Sequence, residues 1–236
     1  MKCTPVVLLL IALLTQNVWA QKIFFKDQNL RSALLNKGFD RNKDGEIELS
    51  EIDTVTKLNV SQNKIKSLED LKYFKNLKII NANDNQIGNL NVFFDNSVIE
   101  EIYVGKNPLE KKLILKNIKN LKLLVAFKCN LESIDLPGTN AIERLYLLDN
   151  DFENIAFPNL TNLEGLIVSG NKKLKSIDIS SNVKLDDLDA LGTAISKLNV
   201  ANNRVLSILY VERHVKLIKG KNRSDIKPAP IIRVEN

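Results

Sequence analysis

Seven residues with oxygen-bearing side chains fall within twelve consecutive positions near the start of the chain, and the spacing of five of them suits a hard cation. Asp40, Asn42 and Asp44 alternate along the chain, Glu46 follows, and Glu51 ends the series. Short carboxylates and amides supply oxygen ligands, a backbone carbonyl at Glu46 adds another, and a glutamate can bind a cation through both of its oxygens. The pattern therefore predicts an all-oxygen site for a divalent cation.

The same segment resembles the calcium loop of EF-hand proteins. Gly45 stands where that loop turns sharply, Ile47 is placed to face the core, and Glu48 is placed to hold a water. The resemblance implies a calcium ion bound by Asp40, Asn42, Asp44, the carbonyl of Glu46 and Glu51. EF-hands normally pair and this one is single, which favours a structural ion over a sensor. The alternative is that the loop only turns the chain and holds no ion.

The residues that could carry catalysis are few. The chain has one His and two Cys, and it lacks the patterns GxSxG and HExxH and a glycine-rich phosphate loop. We therefore expect no enzymatic activity, and we interpret Cys129 as a buried structural residue. Asp186, Asp187 and Asp189 form an acidic cluster, which we interpret as a solvated face.

A repeat of 21 or 22 residues provides the elements that must position these side chains. Within each unit, apolar residues occupy positions 1, 4, 6 and usually 11. Positions 4 and 6 are two apart, which is the period of a strand with one buried face. One unit cannot bury that face alone, so the units must stack with their strands in a parallel sheet. The eight units begin at Val55, Leu77, Ile99, Leu121, Ile142, Leu163, Leu185 and Leu206.

Position 9 holds a small polar residue that can form hydrogen bonds with the backbone where the chain leaves each strand. An Asn side chain both donates and accepts hydrogen bonds, so stacked copies can form a ladder. Five repeats carry Asn there, whereas the fourth carries Cys129 and the seventh Thr193: Asn63, Asn85, Asn107, Asn150, Asn171. Cys129 and His214 occupy this position four repeats apart, which is too far for a catalytic dyad.

This arrangement resembles the leucine-rich-repeat consensus LxxLxLxxNxL over residues 55 to about 217. The resemblance implies the α/β fold class: a right-handed solenoid with a parallel β-sheet on its concave face, short 3₁₀ or irregular convex segments, and a small helical N-terminal cap. Leu68, Leu71 and Phe74 continue the first unit as in internalin-like repeats. Residues 131–136, 174–179 and 195–200 add a second strand-like phrase, similar to repeats of exported Bacteroidetes proteins.

Residues 1–20 have the features of a cleavable secretion signal. Lys2 precedes an apolar run at positions 6–14, and small residues end at Ala20. The run is shorter than the roughly 20 residues of a membrane span, so cleavage is favoured over the alternative of a retained anchor. Cleavage would remove Lys2 and Cys3, lowering the formal net charge by one from +6 to +5 and leaving Cys129 alone. An exported chain without disulfides indicates a bacterial protein, secreted or extracellular, with the periplasm as the alternative.

The chain thus divides into four parts. Residues 1–20 form the signal, 21–54 the N-terminal cap with the calcium loop, 55–217 the eight repeats, and 218–236 a C-terminal cap and basic tail. A helix is predicted from Asp27 to Leu35 in the N-terminal cap, followed by a short exit segment at 50–54.

Positions 3, 5 and 7 of each repeat should point outward from the concave sheet, and apolar residues cluster there in four neighbouring repeats. This cluster, the central patch, predicts a contact site for a protein partner. One alternative is that its side chains cover one another and bind nothing. Another is a glycan ligand stacked on Tyr103, Tyr146 and Tyr210. We expect a monomer, no nucleic-acid partner and no membrane anchor after cleavage. The central patch comprises Tyr103, Leu123, Val125, Phe127, Tyr146, Leu148 and Ile167.

Overall fold

The structure is a computed structural model that describes residues 21–221 and 227–228. The predicted signal at 1–20 lies outside the described residues. So do positions 222–226 and 229–236 of the predicted C-terminal region.

The N-terminal cap contains two short helices on either side of the predicted calcium loop. Helix α1 spans Gln28–Asn36, and its buried residues Leu30, Ala33 and Leu34 face the core. Helix α2 spans Leu49–Ile52. The prediction of a helix near 27–35 is confirmed. Its first predicted residue, Asp27, stands just outside the helix because its carboxylate accepts hydrogen bonds from the first-turn N–H groups, as an N-cap residue does.

Eight parallel strands form one sheet, with one strand from each repeat in chain order. Equivalent positions lie opposite one another throughout; for example, Leu124 pairs with Ile102 on one side and Leu145 on the other. The predicted repeat phase is therefore confirmed. The inner strands are Lys57–Asn59, Ile79–Asn81, Glu101–Tyr103, Leu123–Val125, Arg144–Tyr146, Gly165–Ile167, Asp187–Asp189 and Ile208–Tyr210.

Apolar residues at positions 4 and 6 fill the interior of the stack. In the fourth and fifth repeats, Leu124, Ala126, Leu145 and Leu147 all have 0% of their surface exposed. Full burial of a leucine side chain stabilises the fold by about 1.5–3 kcal/mol. Each repeat makes these contacts with its two neighbours, so the scaffold depends on the stack as a whole.

The convex side changes character along the solenoid. The first two repeats carry 3₁₀ segments at Glu69–Tyr73 and Asn91–Phe93. From the third repeat onward, short outer strands pair two by two. Three of these lie within the predicted phrases, and their three partners were not predicted. The pairs are Lys112–Ile114 with Ser133–Asp135, Asn154–Ala156 with Ser176–Asp178, and Lys197–Asn199 with Lys216–Ile218.

A left-handed residue follows each inner strand in the first seven repeats. Position 8 has φ between +52° and +76° in all of them. In the first six repeats its N–H donates to the position-7 carbonyl of the next repeat, as from Lys106 to Phe127 at 2.7 Å. Only two of the seven are glycine, the residue that adopts this conformation without strain. The turn was consequently not apparent from composition. The seven residues are Gln62, Asp84, Lys106, Lys128, Asp149, Gly170 and Gly192.

Candidate functional sites: the cap loop and the concave face

The predicted calcium loop is held in a tight coil by its own side chains. Asp40 accepts hydrogen bonds from the N–H groups of Asp44 at 3.2 Å and Gly45 at 2.9 Å. Asn42 accepts from Asp44 at 2.9 Å, and Asp44 accepts from Glu46 at 2.9 Å. Gly45 has φ +83°, a conformation that side-chain-bearing residues adopt only with strain. These hydrogen bonds fix the backbone of the first half of the loop.

Glu51 anchors the other end of the loop from a buried position. Its carboxylate, in a residue only 5% exposed, accepts from the N–H groups of Arg41 at 2.6 Å and Glu48 at 2.9 Å. Burial alone would raise the pKa of Glu51, but these backbone hydrogen bonds outweigh it and lower the pKa. The neighbouring Glu48 is also buried, and burial together with the charge of Glu51 raises the pKa of Glu48. Two buried carboxylates therefore lie side by side at the C-terminal end of the loop.

Two basic side chains and the N-terminal backbone segment contact the loop. Lys22 Nζ lies 3.4 Å from an oxygen of Asp44, and a guanidinium nitrogen of Arg31 lies 3.2 Å from Glu46. The Ile23 N–H donates to the Ile47 carbonyl at 2.9 Å, which joins the N-terminal segment to the loop as a short antiparallel bridge. The N-terminal segment therefore pairs with the edge of the loop.

The donor set suits calcium chemically, because it offers carboxylate, amide and carbonyl oxygens on one loop. Within the described residues, no group of three or more His, Cys, Asp or Glu side chains lies close enough together to hold a metal ion. The carboxylates of Asp40, Asp44 and Glu51 are each engaged by backbone N–H groups. A bound calcium ion would require these three side chains to turn toward a common centre.

Two aspartates, Asp27 and Asp70, join the cap to the first repeat. Asp27 accepts from the N–H groups of Lys66 at 2.7 Å and Ser67 at 2.9 Å. In return, Asp70 accepts from the N–H groups of Lys26 at 2.8 Å and Asp27 at 3.1 Å. Asp27 precedes an apolar helical pattern, an N-cap signal that the sequence does contain. Nothing local in the sequence marks Asp70.

The position-9 ladder fixes the register of the concave strands, as predicted. Asn150 accepts from the N–H groups of Cys129 at 2.9 Å and Leu131 at 3.1 Å, and it donates to the carbonyls of Ala126 and Leu147. The Cys129 thiol donates to backbone carbonyls where an Asn amide would, which accounts for its place in the ladder. Burial raises the pKa of Cys129 to about 11. The thiol is therefore protonated and inert near neutral pH.

A second ladder of buried polar residues lies on the convex side and was not predicted. Thr139 accepts from the Ile118 N–H at 3.0 Å and donates to the Leu115 carbonyl at 3.1 Å. Asn182 and Asn203 donate to carbonyls of the preceding turns in the same way. These three residues are 0% exposed. A polar residue in a loop-like stretch gives no sign of burial in a single sequence, so this ladder had no usable signal.

The concave face presents the central patch as a continuous, half-buried surface. The structure places Tyr103, Val125, Tyr146 and Ile167 opposite one another on four adjacent strands. Val125 is largely covered at 9% exposure, and the remaining patch residues are intermediate. The seven predicted residues are thus brought together on one face. Their contact with a partner remains a prediction.

Two glycines shape this surface by leaving room for neighbouring side chains. The Phe127 ring lies over Gly105, where an added Cβ would come within 2.0 Å of it. The Arg144 side chain similarly lies over Gly165 and approaches Glu164 at 3.8 Å. Phe127 is thereby packed down on the sheet, which widens the patch.

Tyr103 is the most strongly perturbed tyrosine of the patch. Its hydroxyl donates to the Glu101 carboxylate at 2.7 Å. Partial burial, with the Glu101 interaction adding to it, raises the pKa of Tyr103 to about 12. The hydroxyl is therefore protonated across the physiological range.

Cavities on the convex side lie apart from the concave patch. One of about 310 Å³ lies beside the two 3₁₀ segments and is lined by Leu71, Phe74, Phe93 and Phe94 among others. No predicted site residue lines it. The concave face and the cap loop are therefore the stronger candidates for function.

Comparison with known proteins identifies the fold. No protein-family model matches the chain, and no curated protein sequence matches it. Among solved structures, internalin C2 of Listeria monocytogenes matches with a TM-score of 0.55 and 21% identity over 80% of this chain and 94% of that one. The internalin inlF of the same organism matches with a TM-score of 0.53 and 18% identity over 83% and 76%. The chain has the leucine-rich-repeat fold. At this identity the likeness concerns the fold alone.

The described residues also include no helix with the length and apolarity needed to cross a membrane.

Proposed function

We propose that this protein is an exported scaffold that binds a protein partner on the concave face of its leucine-rich-repeat solenoid. The single observation that carries the proposal is the central patch. Apolar side chains occupy equivalent outward positions on four adjacent strands, and repeat solenoids use such extended inner surfaces for binding. Strands about 4.8 Å apart make the patch on the order of 15 Å wide, the scale of a hot spot in a protein interface.

Rigidity supports a binding role for this surface. The position-9 ladder and the buried core hold each inner strand in fixed register with its neighbours, so little ordering is left to occur on binding. Preorganised surfaces lose less conformational entropy when a partner docks. Phe127, packed on Gly105, is one such fixed contact.

Calcium in the cap loop is the second part of the proposal, with a structural role. The buried carboxylates of Glu48 and Glu51 lie next to each other, and a cation would relieve their repulsion. Binding would stabilise the folded cap by mass action, by about 2.7 kcal/mol at a hundredfold excess of calcium over its dissociation constant. Export, indicated by the signal-like residues 1–20, would bring the loop into calcium-containing surroundings.

A glycan ligand is the competing proposal. Its supporting observation is the bond from Tyr103 to Glu101, which places an aromatic face beside a carboxylate, as sugar-binding sites do. Binding to a glycan array without any protein cross-link to the concave face would favour this alternative.

The partner proposal is tested by cross-linking the protein to whole-cell and host lysates with and without a chelator, followed by binding measurements on the captured partner. The Tyr103→Ser, Phe127→Ser and Tyr146→Ser triple variant should remain folded by circular dichroism and lose at least tenfold in affinity. A matched control replaces exposed apolar residues elsewhere, as Phe24→Ser, Val183→Ser and Val205→Ser, and should bind normally. Equal affinity of the two triple variants would refute a role for the patch.

The calcium proposal is tested by thermal unfolding in calcium and in chelator. Calcium should raise the Tm of the wild-type protein and leave the Tm of Asp44→Asn and Glu51→Gln unchanged. Lys43→Gln, which alters an exposed loop residue without a proposed ligand role, should retain the shift. Identical melting curves of the wild type with and without calcium would mean that the loop is a structural turn only.

A further inference from the structure

The concave face changes chemistry from one end to the other. The first two repeats present amides whose oxygens are already used. Asn59 accepts from the Ser61 N–H, Asn81 from the Asn83 N–H, and Asn83 from the Gly105 N–H. The central patch follows. The seventh repeat then places Asp187 and Asp189 on the same face of one strand, with Asp186 adjacent.

These aspartates are flanked by apolar groups in the aligned register. Asp189 lies between Ile167 and Tyr210 on the neighbouring strands. Asp187 lies beside Ile208, which is 44% exposed, and on the other side beside Gly165, over which the Arg144 side chain lies. The two carboxylates therefore continue the central patch directly.

Within the described part of the chain their charge is offset only in part, by the nearby guanidinium of Arg144. The ion pairs within 4.0 Å join other residues, and Arg144, the cation closest in register, is paired with Glu164 at 3.8 Å. One Asp189 oxygen accepts from the Leu191 N–H at 3.1 Å. Burial and the negative charge of Asp186 raise the pKa of Asp187, and the positive charge of Arg144 lowers it only in part. A cation supplied from outside would relieve this repulsion.

We infer that the partner contacts the concave face with a protein segment in which an apolar stretch is joined to a lysine or arginine, and that this basic side chain lies between Asp187 and Asp189. The inference rests on the proposed function and specifies the partner that the site takes. The inference rests on chemical complementarity between the segment and the concave face. Apolar residues of the segment match the central patch, and its cation matches the adjoining carboxylate pair. Tyr210 and Ile167 would cover the aliphatic stem of that side chain.

The strand spacing fixes where the basic residue must stand. Tyr146 and Asp189 are two strands apart, a distance of about 10 Å. An extended segment that crosses the strands advances about 3.3 Å per residue, so the basic residue should fall about three residues from the apolar residue over Tyr146. This spacing is a property of the ligand and can be read from sequences selected for binding.

The test uses a displayed library of random twelve-residue peptides selected on the protein and then measured individually. The expected peptides carry Lys or Arg about three residues from an apolar cluster. They should lose at least tenfold in affinity for Asp187→Asn/Asp189→Asn and weaken as salt is raised. Glu132→Gln/Glu153→Gln, which removes the same charge from exposed outer positions, should bind as the wild type does.

The outcomes separate the inference from the proposed function. Peptides that depend on Phe127 and Tyr146 but lack a basic residue, or that bind Asp187→Asn/Asp189→Asn normally, would overturn the inference and leave the protein-binding patch standing. Peptides that are insensitive to both Phe127→Ser/Tyr146→Ser and the aspartate variant would overturn both. The charge reversal Asp187→Lys/Asp189→Lys should select acidic peptides at the same spacing, and continued selection of basic ones would contradict the assigned contact.

Discussion

Replacing Asp27 with Ala should weaken the attachment of the N-terminal cap to the first repeat. The carboxylate accepts four backbone hydrogen bonds, from Asn29 at 2.9 Å, Leu30 at 3.0 Å, Lys66 at 2.7 Å and Ser67 at 2.9 Å. Loss of an N-cap side chain costs about 1 kcal/mol. Leaving two further N–H groups without their charged acceptor costs about 1 kcal/mol each at the lower end of the usual range, which suits partly buried amides. The expected loss is therefore about 3 kcal/mol.

Urea unfolding followed by circular dichroism gives the total loss, and hydrogen exchange locates it. The amides of Leu30, Lys66 and Ser67 should exchange faster in the variant, whereas the central repeats should keep their protection. Asp53→Ala is a suitable control, because Asp53 is an exposed cap residue whose recorded hydrogen bond is made by its backbone carbonyl. Asp27→Ala could instead lower the free energy of unfolding no more than Asp53→Ala does and leave hydrogen exchange at Lys66 and Ser67 unchanged. That result would refute the role of Asp27 in joining the cap to the first repeat.

Three further perturbations test the scaffold. Asn107→Ala removes a buried side chain that accepts from Ile87 and donates to two nearby carbonyls, so urea unfolding should show a loss of about 2–4 kcal/mol; a loss below 0.5 kcal/mol would contradict the ladder. Gly105→Ala should displace the Phe127 ring and lower the Tm, which a crystal structure and calorimetry can check, and an unmoved ring would contradict the packing. Cys129 should resist alkylation by iodoacetamide in the folded protein at pH 8 and react in urea. Its folded pKa of about 11 exceeds the ordinary value near 9, so its contribution to stability is complete below pH 9 and is lost as the pH rises through 11. Rapid labelling of the folded protein at pH 8 would show that the thiol is accessible.

The inner half of the solenoid could be predicted from sequence because its signal repeats. Leu58, Ile80 and Ile102 occupy the same position in successive repeats, and a second apolar residue follows each of them two positions later. This pattern alone predicts a short strand with one buried face in each repeat. The central patch followed from the same register. Its half-buried character did not, because the covering of Val125 and the packing of Phe127 on Gly105 depend on neighbouring repeats.

Features that depend on contacts between distant segments were missed. Asp70 accepts from backbone groups 43 and 44 residues earlier, and no local pattern marks that distance. The convex ladder of Thr139, Asn182 and Asn203 begins only midway along the chain and uses two residue types, so its three members are too few to stand out in the sequence. The left-handed turn at position 8 is carried by charged residues and Gln as well as glycine, and stacking overrides their intrinsic preference.

The most direct test of the central claim is site-specific photo-cross-linking in the native envelope or medium of the source cell. A photoreactive phenylalanine analogue at Tyr146 on the concave face is compared with the same analogue at Val205, which is 54% exposed and lies outside the inner strands. If the partner binds on the concave face, a discrete protein adduct is expected from position 146 and none from position 205. Adducts of equal yield from both positions, or from position 205 alone, would contradict a binding site on the concave face.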